Sequence, residues 1–404
     1  MEPSELGAPV RLHALSYLED GEDVVIGRTD TDSYGVFPAD GAALLRRLAD
    51  GEPPGAAARW YAETYGEPVD LEEFLGVLAE LDFLVEGDSG SDGPDPVRPL
   101  RWQRLGRALF SPPAWALYGV VLASAVVAMV ATPRLLPHNG NVFFTQHLTV
   151  LMATLFLGQF PLILIHEAAH ALAGRRLGVR SRLRVARRLF FVVFETSLDG
   201  LIVVPRNKRY LPILVGMFTD LLVLAVLTLV AAATLDPAGR PSLVGRVCLA
   251  LAFTTFLRFC WQFYFHLRTD LYQLAVTALG CQDLQAAAKR VLGNHARRLV
   301  GRPARDTAGL HPRDLQVARW YCWPMLAGYT LSTVMLFAVG FPVLWRSVTI
   351  AGARFAEGGG TWLHVADSTL FLALTLGQFG FAAFLAVRSR LLRRRVPATS
   401  HLTT

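Results

Sequence analysis

The chain has 404 residues, 52% of them hydrophobic, with 39 Lys and Arg against 33 Asp and Glu and a formal net charge of +6. A mean hydropathy of +0.36 is too high for an ordinary pair of soluble domains. The charge is also unevenly spread: residues 1–95 hold 22 acidic and 5 basic residues, a net of −17, whereas the remainder nets +23.

The acidic N-terminal part, residues 1–87, reads as a soluble α+β domain. Asp23–Arg28 and Ser33–Phe37 are short strand-like runs separated by the turn-like stretch Thr29–Asp32. Helices are expected over Ala39–Leu48, ended by Asp50-Gly51, and over Ala56–Tyr65. Asp70-Leu71-Glu72-Glu73 forms a capping box that opens a third helix, with Leu71, Phe74, Leu75, Leu78 and Leu81 on one apolar face. With a closing Phe83-Leu84-Val85 strand, the order suggests a small winged helix. A DNA-binding role is opposed by the −17 charge, because such binding draws its affinity from phosphate neutralisation. No nucleic-acid partner is expected.

Residues 88–97, rich in Gly, Ser, Asp and Pro, read as a flexible linker. Beyond it, residues 98–404 carry six apolar runs near 113–133, 143–174, 211–234, 244–267, 323–347 and 364–387, each at least the roughly 20 residues that a span requires and the second long for one straight span. Pro161 lies inside the second, and Arg258 interrupts the fourth, which is therefore expected inside a helix bundle. Arginines cluster before the first run, at 175–188, at 284–320 and in the C-terminal tail, whereas the loops near 134 and 240 hold one each. By the positive-inside rule this alternation gives a multi-pass protein of a bacterial-type cell membrane with both termini cytoplasmic. No basic n-region with an apolar h-region opens the chain, so no cleaved signal peptide is expected. Cys248, Cys260, Cys281 and Cys322 lack CxxC spacing and read as reduced or buried thiols.

The chemistry concentrates at His166-Glu167-Ala168-Ala169-His170, inside the second apolar run. On a helix, HExxH sets two imidazoles one turn apart on one face, where both can bind one Zn²⁺, with the Glu placed to take a proton from a water. A polar pair packed in a bundle is the bland reading, disfavoured because ionisable groups in hydrocarbon are costly. Tetrahedral zinc needs a third protein ligand. Asp270, in Arg268-Thr269-Asp270-Leu271-Tyr272, returns to the cytoplasmic side at the end of the fourth run, at a depth matching His170, and is the preferred candidate. Asp199, in Leu198-Asp199-Gly200, is the fallback, and His266 a residual one. Asp220, within the third run, could position substrate or form an interhelix bond, and Glu195 could pair with a nearby Arg.

Ile165-His166-Glu167-Ala168-Ala169-His170, continued by Ala171-Leu172-Ala173-Gly174-Arg175-Arg176-Leu177-Gly178-Val179, resembles the site-2 protease family of intramembrane zinc metalloproteases. The resemblance implies Zn²⁺ as cofactor, Glu167 as the catalytic base, an Asp ligand from a later segment and a membrane-dipping β-like stretch, here Leu189–Val204. Residues 9–86 resemble PqqD-type peptide-recognition domains, which hold a precursor's leader peptide as an added strand at a sheet edge. Together they imply hydrolysis of a membrane-associated peptide, with a partner transporter or peptide-modifying enzyme. Three other readings are regulated cleavage of a membrane-bound signalling protein, a non-catalytic peptide-binding scaffold, and a di-iron oxidase. The last needs several HxxxH boxes, and the other histidines form none.

Overall fold

The computed structural model describes residues 8–20, 23–28, 31, 33–85, 100–145, 147–188, 191–341 and 366–374, with isolated positions up to 384. The expected linker at 88–97 lies outside the described residues, as does part of the expected sixth span.

The N-terminal domain is a three-stranded antiparallel sheet followed by three helices. Strands β1 (Ser16–Asp20), β2 (Asp23–Arg28) and β3 (Ser33–Pro38) lie in sequence order, with Leu18 opposite Val25 and Val24 opposite Phe37. The sequence suggested only β2 and β3; β1 is too short and mixed to announce itself. The expected last strand shrinks to a single bridge between Leu84 and Leu12, flanked by Val85 N–H donating to Arg11 O at 2.9 Å.

Helix α1 (Ala39–Ala49) buries Ala42, Leu44, Leu45 and Leu48, the i, i+3, i+4 stripe that an amphipathic helix presents to a core. Helix α2 (Pro54–Tyr65) starts with Pro at its first position and stops at Gly66 with φ +79°, a left-handed conformation that glycine adopts without strain. Helix α3 (Leu71–Glu80) is capped as expected: Asp70 Oδ1 accepts from Glu73 N–H at 3.0 Å. Val24, Ile26, Phe37, Leu44, Leu45, Leu48, Leu78 and Phe83 close the core. An ion pair lies at its edge, where Arg28 Nη1 reaches Asp82 Oδ2 at 3.0 Å and the Asp82 carbonyl at 2.6 Å.

Four helices among the described residues are long and apolar enough to cross a membrane: α5 (Pro112–Ala131), α6 (Leu148–Arg176), α7 (Arg206–Ala233) and α8 (Leu243–Trp261). A short α4 (Gln103–Leu109) precedes them. Their outward residues are apolar: Val127 and Val130 of α5 and Phe156 and Leu157 of α6 are each at least 66% exposed. Such surfaces suit hydrocarbon and not water.

Between α6 and α7 a two-stranded sheet pairs β4 (Arg182–Arg188) with β5 (Phe191–Ser197), followed by a 3-10 turn over Asp199–Val203. The β stretch thus begins earlier than the expected Leu189, and takes in arginines read from sequence as a loop. Gly200 in the turn lets Tyr34 of β3 approach: a Cβ there would stand 2.7 Å from the Tyr34 hydroxyl.

The fourth expected span also ends early. Helix α8 stops at Trp261, a 3-10 turn covers Phe265–Leu267, and Asp270 is the first residue of a new helix, α9 (Asp270–Leu279). Helices α10 (Leu284–Leu299) and α11 (Pro312–Met335) then pack together around Leu284, Ala287, Ala288, Val317, Ala318 and Tyr321. Helix α11 starts well before the expected residue 323 and passes into a π-helical turn over Leu336–Gly340.

Candidate metal centre

His166 and His170 lie one turn apart on α6, so their rings meet edge to face on one side of the helix with centroids 4.9 Å apart. Their Nε2 atoms are 3.2 Å apart, and Asp270 Oδ2 stands 3.4 Å from each. Tetrahedral zinc with bonds of about 2.0–2.1 Å to each donor would set those donors about 3.3–3.4 Å apart. The triangle therefore has the edge lengths that such an ion requires. All three donors are enclosed: His166 is 5% and His170 7% exposed, and Asp270 Oδ2 is buried with no aligned hydrogen-bond donor among the described residues. A buried carboxylate oxygen without a donor is costly, and a cation at the triangle's centre would satisfy it. Glu167 is buried beside them.

Asp270 is delivered by a local device. Gln262 continues the polypeptide past α8, and its Oε1 accepts from Asp270 N–H at 3.0 Å. Thr269, fully buried, donates its hydroxyl to the Gln262 carbonyl at 2.7 Å. Arg268 takes φ +57°, which reverses the chain so that Asp270 can open α9. Burial alone would raise the Asp270 pKa, but the adjacent His170 and His166 hold its carboxyl below the usual carboxylate range.

Helix α7 clamps His166 at both nitrogens. A Cβ on Gly216 would strike His170 Nε2 and would stand 2.5 Å from His166 Nε2, so only glycine lets α7 cross so near the donors. One turn later, Asp220 Oδ1 lies 3.1 Å from His166 Nδ1, at ion-pair distance though without hydrogen-bond alignment. Asp220 is 1% exposed, and its two oxygens are engaged by Arg258 of α8, Oδ2 with Nε at 3.2 Å and Oδ1 with Nη2 at 2.5 Å. Arg258 Nη1 donates onward to Gln159 Oε1 at 2.9 Å, and the Gln159 amide reaches Thr254 Oγ1 at 2.6 Å and the Leu251 carbonyl at 3.1 Å. Gly158 permits this approach, since a Cβ there would stand 2.7 Å from Leu251. A ring nitrogen opposite the metal face that meets a carboxylate fixes the tautomer and orientation of a ligating histidine.

The structure thus brings His166, His170 and Asp270 together, with Asp220 behind His166. It does not bring in His266, whose Nε2 is 2.9 Å from Ser332 Oγ and whose ring packs against Gly328 and Tyr329. Asp199 opens the 3-10 turn after β5; its side chain and that of Glu195 lie outside the described residues. Sequence reasoning missed Gly216, Gln159 and Gln262. The signal for the first was present in Gly216-Met-Phe-Thr-Asp220, which places a residue without a side chain one turn from a buried acid. No family model matches the chain, and comparisons with curated proteins and with solved structures return no match.

Proposed function

We propose that the chain is an intramembrane zinc metalloprotease that hydrolyses a peptide bond in a membrane-associated peptide. The observation that carries this reading is the donor triangle of His166, His170 and Asp270, with the Glu of HExxH beside it and apolar helices around it. Zn²⁺ held there would act as a Lewis acid toward the scissile carbonyl and would acidify an attacking water. Glu167 accepts that water's proton and returns it to the leaving amine, general acid–base work that suits a buried carboxylate between two ligands. Asp220 keeps the His166 ring turned with Nε2 toward the ion, and Arg258 balances the Asp220 charge within the apolar bundle. The substrate must arrive locally unwound, because a helix hides its carbonyls in hydrogen bonds.

The topology proposed for this enzyme has six spans and both termini cytoplasmic, following the arginine pattern. The substrate proposed is a ribosomally made precursor peptide, and the acidic N-terminal domain captures its leader by strand addition. What favours this is a small sheet whose outer strands β1 and β3 each pair with a strand on one side only among the described residues.

The test replaces Glu167 with Gln and, separately, Asp270 with Ala in the full chain. Glu167→Gln should keep stoichiometric zinc and lose cleavage by a factor of about 10² or more; retained proteolysis removes the enzyme assignment. Asp270→Ala should lose zinc on dialysis, whereas undiminished metal would move the third ligand to another carboxylate.

A further inference from the structure

Helix α10 presents two faces of opposite character. Leu284, Ala287, Ala288 and Val291 pack toward α11. The other face carries Ala286, Lys289, Arg290, Gly293 and Arg297, which repeat at three- and four-residue steps and so form one stripe. With Arg305 from the following loop they line a pocket of about 350 Å³.

This pocket is built and not merely a run of charge. Arg290 Nη1 donates to the Asp306 carbonyl at 2.5 Å and Arg297 Nε to the Pro303 carbonyl at 2.7 Å. Asn294 closes the same loop from both sides, donating to the Arg305 carbonyl at 3.0 Å and accepting from Arg305 N–H at 2.8 Å. Each guanidinium spends one donor on the loop and keeps the rest. Ala286 and Gly293 supply a floor without bulk, and a Cβ on Gly293 would meet open space. Four cations line the pocket, no carboxylate does, and among the described residues none of the four is in an ion pair. Lys289 is held below its usual pKa by burial and by Arg268. Such a concentration of like charge is stabilised by an anion.

Two further observations identify the source of that anion. Trp320 and Trp323 of α11 are 55% and 54% exposed, the pattern of an aromatic belt at the membrane–water boundary, and His295 of α10 rests on the Trp323 ring at 5.7 Å. At the end of α10, Val300, three residues past Arg297, stands 68% exposed, and its neighbour Leu299 88%. Basic residues with exposed apolar neighbours at this depth are what an interfacial helix offers to anionic lipid.

We propose that the α10 pocket binds the phosphate of an anionic phospholipid, with the acyl chains toward Leu299 and Val300. This does not depend on the protease reading. The full chain in detergent is titrated with short-chain phosphatidylglycerol, with phosphatidylcholine of the same chain length and with inorganic phosphate, and bound lipid is followed by native mass spectrometry. Phosphatidylglycerol should bind at least about tenfold tighter than either of the others. Lys289→Gln and Gly293→Glu should each weaken it about fivefold, since each changes the charge by one unit and each charge near such a surface carries about one such factor. Arg298→Gln, which removes the same charge outside the pocket, should change nothing. Equal losses in Arg298→Gln, unaltered binding in Gly293→Glu, or inorganic phosphate binding as tightly as the lipid would each overturn the proposal. Lys289 makes no hydrogen bond to the loop among the described residues, so its variant tests the charge without disturbing the pocket wall.

Discussion

The N-terminal domain and the α6–α8 bundle differ in the polar groups they bury beside their apolar ones. In the first, the fully enclosed side chains are Ile26, Leu44, Leu45, Leu48, Leu78 and Phe83, and its buried charge, Arg28, sits at the end of the central strand. In the second, the enclosed positions include His166, His170, Asp220, Thr228 and Thr255, while valines, leucines and phenylalanines face outward. Apolar burial drives folding where the surroundings are water. Where the surroundings are hydrocarbon it contributes little between helices, and close packing at small residues with polar bonds takes over. Gly158 against Leu251, Gly216 against the two histidines and the Gln159–Arg258–Asp220 chain are that substitution in this molecule.

The sharpest way to break the contrast is to remove one member of the buried network. Arg258→Gln leaves Asp220 uncompensated in an apolar bundle and should cost about 3–5 kcal/mol, read as loss of thermal stability in detergent. The same variant should weaken zinc about 10- to 100-fold through the freed His166 ring, and pairing it with Asp220→Asn should restore much of the stability. In the N-terminal domain, Leu45→Ala should cost about 2–5 kcal/mol by leaving a cavity, seen in the full chain as faster hydrogen exchange confined to that domain. If Arg258→Gln proved milder than Leu45→Ala, the polar network would not be what holds α6, α7 and α8 together. The smallest effect belongs to the cap: Asp70→Ala should cost about 1 kcal/mol and fray the first turn of α3 alone.

What the sequence disclosed follows the same divide. The N-terminal helices were legible because Leu44, Leu45 and Leu48 repeat at helical spacing and Asp70 caps with its own side chain, both local signals. The apolar runs and the HExxH pair were equally local. Chain reversal at Arg268 was not, since a positive φ in a non-glycine residue is imposed by Gln262, Gln285 and Asp283 around it and has no signature of its own. For that reason Asp270 read as the end of a span when it begins a helix. The partner of Asp220 was hidden too: Arg258 stood out as an interruption in an apolar run, but which acid it meets is settled by three helices packing at once.

A set of bonds late in the chain bears on how α6 is made. The first-turn amides of α6, at Leu148 and Thr149, donate to the two carboxylate oxygens of Asp367 at 3.1 and 2.9 Å, and the Thr149 hydroxyl donates to the Asp367 carbonyl at 2.7 Å. Helix starts have no internal acceptors for these amides, and the acceptor here lies 219 positions downstream of Leu148. At about 5–20 residues per second, the ribosome reaches it roughly 10–40 s after α6 begins. The helix that carries His166 and His170 is thus synthesised early but secured at its N-terminal end late, so a chain released before residue 367 would carry the two histidines on a helix that lacks its cap.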